Sequence, residues 1–320
     1  MNDNFSNNCF QISNGTLVKF DQSKNLGRTI TVPKDVSIIG EKAFQNCLNV
    51  ENIVLPDTVK IISNNAFQSC VNLRSVAMPF GITEIYDNAF TGCSSLTSIE
   101  LPESLIKIGK SIFSGCKKLK PIDFSNKNIE YKFYKGFEIQ NNNLTYFDQT
   151  INTDQNLYIP NGIKTIGERA FSKCTNLIVV TIPRSVEAIE NCAFADCTNL
   201  CVVDFPMDLL NIGRGIFAKC TQLMPIKMAN RLTSYYFANG LEIHDRCLTF
   251  FDESINKSQN LILPNGVTSI GEYAFQGCTK VKSITYPKNF KMIEEGAFAN
   301  SSLQGSLVPS DIMIVAKKIS

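Results

Sequence analysis

The chain has no tryptophan and a single histidine, His244, among its 320 residues. His244 sits in a polar hairpin pattern, "LEIHDRCL", whose counterparts in two similar stretches are Gln140 and Ser13. Neither counterpart is an acid–base group, so His244 reads as a surface hairpin residue. It builds neither a Ser-His-Asp nor a His-x-x-x-His constellation, and no groups that would orient a Cys247–His244 pair are evident. Charge of one sign is also missing: 31 basic against 29 acidic residues leave a net charge of +2. That balance gives no footprint for nucleic acid and no polybasic membrane patch. Long apolar runs are absent too. Among the longest is Ile312 to Ala316, far below a membrane span. The start, "MNDNFSNNCFQ", lacks a basic-then-apolar leader, and the end, "VAKKIS", is no lipidation box. These features lead us to expect a cytoplasmic location and no direct membrane insertion. None of the 12 cysteines forms a Cys-x-x-Cys pair, and no glycine-rich phosphate loop occurs. We therefore expect no catalytic residue, no cofactor site and no metal site, and read the chain as no enzyme.

What is present is a period. Prolines fall at 33, 56, 79 and 102, then 160, 183 and 206, then 264 and 287, with a step of 23 inside each group. Phenylalanines keep the same step at 44, 67, 90 and 113, at 171, 194 and 217, and at 275 and 298. A cysteine follows each three residues later, except that Ser301 takes the last place. One instance is "CSSLTSIELPESLIKIGKSIFSG", from Cys93 to Gly115. Ile99 and Leu101 alternate as in a short strand. Pro102 stops the ladder because it has no N–H. Leu105 and Ile108 form a second apolar pair, Ile-Gly turns the chain, and the segment around Phe113 has room only for a helical or 3₁₀ turn. So small a unit cannot bury its apolar side alone; stacked copies can, each covering the next.

A longer period lies above this one. "FEIQNNNLTYFDQ" at Phe137 matches "LEIHDRCLTFFDE" at Leu241 at an offset of 104, and "FQISNGTLVKFDQ" at Phe10 has the same pattern. Each reads as a β-hairpin feeding a first rung, and Asn14-Gly15 is a strong two-residue turn signal. Asp21, Asp148 and Asp252 recur after Phe in these hairpins and read as Asx-type turn residues rather than catalytic carboxylates. The stretches 125–136 and 229–240 read as insertions within the stack. The expected organisation is a disordered stretch 1–8, then one continuous solenoid over 9–320 in three segments. These are 9–124 with a hairpin and four rungs, 125–228 with a hairpin and three, and 229–320 with a hairpin, two rungs and an eroded last one carrying Leu303 and Pro309. A three-sided β-helix is the alternative that period alone leaves open.

The Leu-x-x-Ile-x-Leu-Pro strand, the Ile-Gly-x-x-Ala-Phe turn and the Cys resemble the BspA-type leucine-rich repeat, a 23-residue class of bacterial and protist surface proteins. The resemblance covers about nine rungs and the Leu-Thr-x-Phe-Asp hairpins. It implies a right-handed leucine-rich-repeat solenoid with a parallel β-sheet on one face and short strands with helical or 3₁₀ turns on the other. It also implies surface display, adhesion or protein binding, in tension with the missing leader.

The cysteine column admits three readings: small core residues at a turn, disulfides between neighbouring rungs, or a metal site. The regular repeat, the Ser301 replacement and the lack of histidine favour core packing. A bridge would leave each member choosing between two equivalent neighbours. Tetrahedral zinc needs converging ligands, which a linear file does not give. Cys192 and Cys201 depart from the column and read as incidental thiols.

Binding then falls to side chains the repeat leaves free. Between the inward Ile and Leu of each strand lies an outward column that includes Glu100, Asp123, Tyr158, Thr181 and Asp204; its neighbour column includes Val179 and Val202. An exposed aromatic with adjacent valines is a candidate protein-binding patch; a β-surface filled by propensity is the plain alternative. Two functions follow from these: a module binding a macromolecular protein partner through the sheet, or a structural, antigen-like rod without a defined patch.

Overall fold

A computed structural model describes residues 9–25, 27–207, 209–229, 233–303 and 312–315. The expected disordered stretch 1–8 and Pro309 of the eroded rung lie outside the described residues. The chain divides between Thr153 and Asp154 into two compact units.

In the first unit, three rungs open with a three-residue strand whose central side chain alone faces the core, while the strand expected around Ile99 and Leu101 does not form. Thr29–Thr31, Asn52–Val54 and Ser75–Ala77 form a parallel sheet. Ile30, Ile53 and Val76 are buried in register. Beyond the proline comes a second, two-residue strand. Ile38–Ile39, Ile61–Ile62, Glu84–Ile85 and Lys107–Ile108 stack in parallel. The hairpin Phe10–Ser13/Thr16–Phe20 leads into this second sheet, pairing Leu17 with Ile39. The second unit repeats the plan. Asn156–Tyr158, Val179–Thr181 and Val202–Asp204 make its first sheet; Thr165–Ile166, Ala188–Ile189 and Asn211–Ile212 stack in its second. Farther on, Asn260–Ile262 pairs with Ser283–Thr285, and Ser269–Ile270, Met292–Glu294 and Met313–Val315 stack in turn.

The phenylalanines form buried files. Phe44, Phe67, Phe90 and Phe113 are fully buried, with successive ring centroids 5.2, 4.9 and 5.7 Å apart. Phe171, Phe194 and Phe217 follow at 4.8 and 5.6 Å. These are offset ring stacks at the spacing of adjacent rungs.

One expectation is corrected. The turn around each Phe is not helical, and the only 3₁₀ helix among the described residues is Gln22–Lys24 in the first hairpin. Each turn instead has a left-handed residue two before and two after its Phe, as with Lys42 and Asn46 around Phe44, or Cys192 and Asp196 around Phe194. Two such residues four positions apart interrupt any helix. Their amides point along the stack: Lys42, Phe44 and Asn46 donate to the carbonyls of Asn64, Ala66 and Gln68 at 3.2, 2.8 and 2.9 Å. The side away from the first sheet is thus a second parallel sheet plus laddered β-turns. The Ile-Gly glycine opens this turn, with Gly40, Gly167 and Gly271 each accepting from the amide three residues on at 3.1–3.2 Å. At Gly109 an added Cβ would lie 2.5 Å from the Asp87 amide nitrogen, and at Gly213 2.5 Å from that of Asn191. Glycine is there for close approach of one rung to the last.

The stretches near 125–136 and 229–240 contain strands of their own. Ile122–Ser125, Glu130–Tyr134, Phe137–Gln140 and Asn143–Phe147 form an antiparallel meander. Ile226–Ala229, Ser234–Ala238, Leu241–His244 and Cys247–Phe251 form its counterpart in the second unit. Tyr131 and Phe133, and likewise Tyr235 and Phe237, alternate inward and are buried.

Candidate protein-binding face

Of the candidate residues, five stand together on one sheet of the second unit. The register aligns Asn156 with Val179 and Val202, Leu157 with Val180 and Val203, and Tyr158 with Thr181 and Asp204. Leu157 and Val180 are buried, so alternation turns the flanking columns outward. Tyr158 is 75% exposed and Val202 38%. Among the described residues, the side chains of Tyr158, Thr181 and Asp204 make no hydrogen bond or ion pair. At the position before each strand stand Gln155, Ile178 and Cys201, none of them buried. Sequence reasoning passed over these three, although the period marks their position.

Glu100 and Asp123 belong to the first unit. Glu100 is exposed and lies in no strand. Asp123 is on the antiparallel strand Ile122–Ser125, with Lys132 3.8 Å away.

The corresponding face of the first unit is chemically different. Before its strands, Glu51 forms ion pairs with Arg28 and, at 3.6 Å, with Arg74. In the next column, Asn52 donates to Thr29 at 3.4 Å and accepts from Ser75 at 2.8 Å. Polar groups there are partnered by one another. On the second unit's sheet, two of the three residues in that column are valines.

The cysteines are packing residues with a further duty. Cys70, Cys93, Cys116, Cys197 and Cys220 are buried, and each donates its thiol to the carbonyl of the preceding rung's Phe at 2.9–3.2 Å. Burial pushes the Cys116 thiol up to about 12. A neighbouring Cys and burial push Cys47 and Cys220 up further. No group of three or more His, Cys, Asp or Glu suited to a metal ion occurs among the described residues.

Two buried carboxylates escaped the sequence reading. Glu138 and Glu242 are fully buried at equivalent positions of the two meanders. Beyond the last Phe turn of the first two segments, at Phe113 and Phe217, a meander stands in place of a regular rung. Glu138 serves the first of these turns, accepting from the amides of Ser111 at 2.8 Å and Ile112 at 3.1 Å. Asp148 accepts from the Gly115 amide at 2.5 Å. In the second unit, Gly215 donates to Glu242 at 3.1 Å and Lys219 to Asp252 at 2.5 Å. The other oxygens of Asp148 and Asp252 hold the expected local turns, through Thr150 and Ser254. Burial raises the Glu138 carboxyl to about 8 against the opposing pull of its hydrogen bonds, and raises Glu242 as well. His244 is not a surface residue. Its side chain is 17% exposed and its Nε2 lies 3.0 Å from Glu242 Oε1. The readable signal was a Glu between inward apolar residues, repeated at an offset of 104, with the exposed Gln11 in the first hairpin.

Stacked strand–proline–turn rungs around files of Leu, Ile and Phe define a β-solenoid of the leucine-rich-repeat class. The chain belongs to the BspA-type leucine-rich repeat family, whose six-copy region matches residues 18–145, 139–256 and 248–319. Among solved structures, a leucine-rich repeat protein from Eubacterium ventriosum is similar over 93% of this chain and 91% of its own, with 22% identity and a TM-score of 0.53. The T. pallidum leucine-rich repeat protein shares 26% identity over 65% of this chain and 82% of its own, with a TM-score of 0.34. No curated protein matches the chain. No helix among the described residues is long and apolar enough to cross a membrane.

Proposed function

We propose that this chain is a non-enzymatic module that binds a protein partner through the exposed sheet Asn156–Tyr158, Val179–Thr181 and Val202–Asp204. The observation that carries this reading is the contrast between equivalent faces. In the first unit, ion pairs occupy the column before the strands and side-chain hydrogen bonds the next, with Thr31, Val54 and Ala77 in the third. In the second, Val179, Val202 and the 75%-exposed Tyr158 are set beside the unpaired Thr181 and Asp204. Apolar and aromatic surface rimmed by polar groups is the composition of an interaction hot spot.

The test is a paired substitution. Tyr158→Ser, Val179→Ser and Val202→Ser together should abolish recovery of partners captured by crosslinking from cells. Thr29→Ala, Asn52→Ala and Ser75→Ala in the first unit should leave it intact. Equal recovery by both variants removes the sheet proposal and favours a structural rod. Labelling of intact cells with an impermeant reagent separates a surface setting from an internal one.

A further inference from the structure

A second place on the second unit has the attributes of a small-molecule site and is separate from the sheet face. A cavity of about 530 Å³ opens between the meander and the turn following Pro264. Tyr236, Ile243 and Val267 line it, with Pro264 beside them. Ile243 and Val267 are buried elements of the core, and Tyr236 packs half-buried against that core. The lining also includes two exposed cations, Lys227 and Arg246.

Among the described residues neither cation forms an ion pair. Arg246 sits at a hairpin tip with positive φ, its Nε donating to the Gly266 carbonyl at 3.0 Å. That bond fixes the guanidinium and leaves its two terminal nitrogens without a protein partner among the described residues. The adjacent Asp245 is engaged elsewhere, accepting from the Ser234 amide at 2.6 Å and from its hydroxyl at 3.2 Å.

The first unit carries a different pair at the corresponding place. Lys227 is paired across the strands with Tyr236, and the matching pair there is Asp123 with Lys132. Lys132 is balanced by Asp123 at 3.8 Å and Glu130 at 3.2 Å. The second unit replaces that balanced pair with a cation and an aromatic ring, and adds Arg246 where the hairpin tip of the first unit's meander has Asn142. An apolar floor under two cations with no ion-pair partner among the described residues complements an anion with an apolar body.

We infer that this cavity binds a small amphipathic carboxylate, its chain on Tyr236, Ile243 and Val267 and its carboxylate between Lys227 and Arg246. Calorimetric titration of the full chain with octanoate tests this, with octan-1-ol as the neutral counterpart. Octanoate should bind at one site per chain, at least tenfold more tightly than octan-1-ol, and more weakly as salt rises. The double substitution Lys227→Asp and Tyr236→Lys copies the pair that the first unit already accommodates, so it preserves folding. It should lower octanoate affinity at least tenfold, and Arg246→Ala should lower it severalfold. Equal affinity for octan-1-ol, unchanged octanoate binding in the double variant, or no binding of octanoate at millimolar concentration would each overturn the proposal.

Discussion

Each Phe of a file sits between the Phe of the rung before and the Phe of the rung after, so its removal empties both contacts. Phe194 has ring neighbours at 4.8 and 5.6 Å on its two sides. Phe194→Ala should destabilise the protein by about 3–5 kcal/mol, read from urea melts; a neutral result would mean the file does not hold the core together. The thiols make a count. Nine cysteines are buried, whereas Cys192, Cys201 and Cys247 are half-buried. Titration with a thiol reagent should find no more than three reactive groups in the native protein and all 12 after denaturation. Ser301 shows what the column asks for. Its hydroxyl turns back to its own rung's Phe298 carbonyl at 2.7 Å, whereas a cysteine here reaches the rung before. The spacing of Cys after Phe was plain in the sequence. The thiol-to-carbonyl bond was not, because its acceptor is 26 residues earlier in the chain.

Hairpins and rungs were legible because each repeats its apolar pattern within a few residues: Phe-x-Ile before a polar tip, or Ile-x-Leu before a proline. The turn conformation was less so. The residues two before and two after each Phe vary among Lys, Asn, Ser, Arg, Tyr, Cys, Asp and Gly, and only their common backbone, left-handed in each case, betrays the rule. The strands Glu130–Tyr134 and Ser234–Ala238 were hidden in stretches that mix Lys, Asn and Tyr with the inward aromatics. Glu138 was opaque for a different reason, since the amides it serves lie 26 and 27 residues upstream. Glu138→Ala should therefore cost about 1–3 kcal/mol for each buried amide left without an acceptor. Glu138→Gln retains one carbonyl oxygen and should cost less. Equal losses in the two variants, measured by denaturant melts, would mean that the carboxamide oxygen does not substitute for the carboxylate. The candidate face was legible as a column and a neighbour column. Its contrast with the first unit was not, since Arg28, Glu51 and Arg74 show their pairing only once the rungs are stacked.

Across the whole molecule, stability should depend on pH in an uncommon direction. An ordinary carboxylate in a folded protein is stabilised when ionised. Glu138 is the reverse: its folded value is raised from 4.5 to about 8 by burial. The folded state thus holds a proton that the unfolded chain releases. This contribution is fully present below about pH 4.5 and is lost as pH rises to about 8. Its slope approaches about 1.4 kcal/mol per pH unit in that window. Melting at pH 5, 6.5 and 8 should show stability falling with pH, and Glu138→Gln should flatten that trend; a slope unaltered by the substitution would assign it to another group.

Because every regular rung offers its successor the same carbonyls and the same ring face, one rung can be taken out like a bead from a string. Deleting residues 70–92 joins Ser69 to Cys93 and leaves each remaining neighbour a partner of the same kind. The shortened chain should keep the same circular dichroism per residue and unfold cooperatively. The joints closed by Glu138 and Glu242 are not interchangeable in this way, so growth or loss by whole beads is expected within segments and not across their ends.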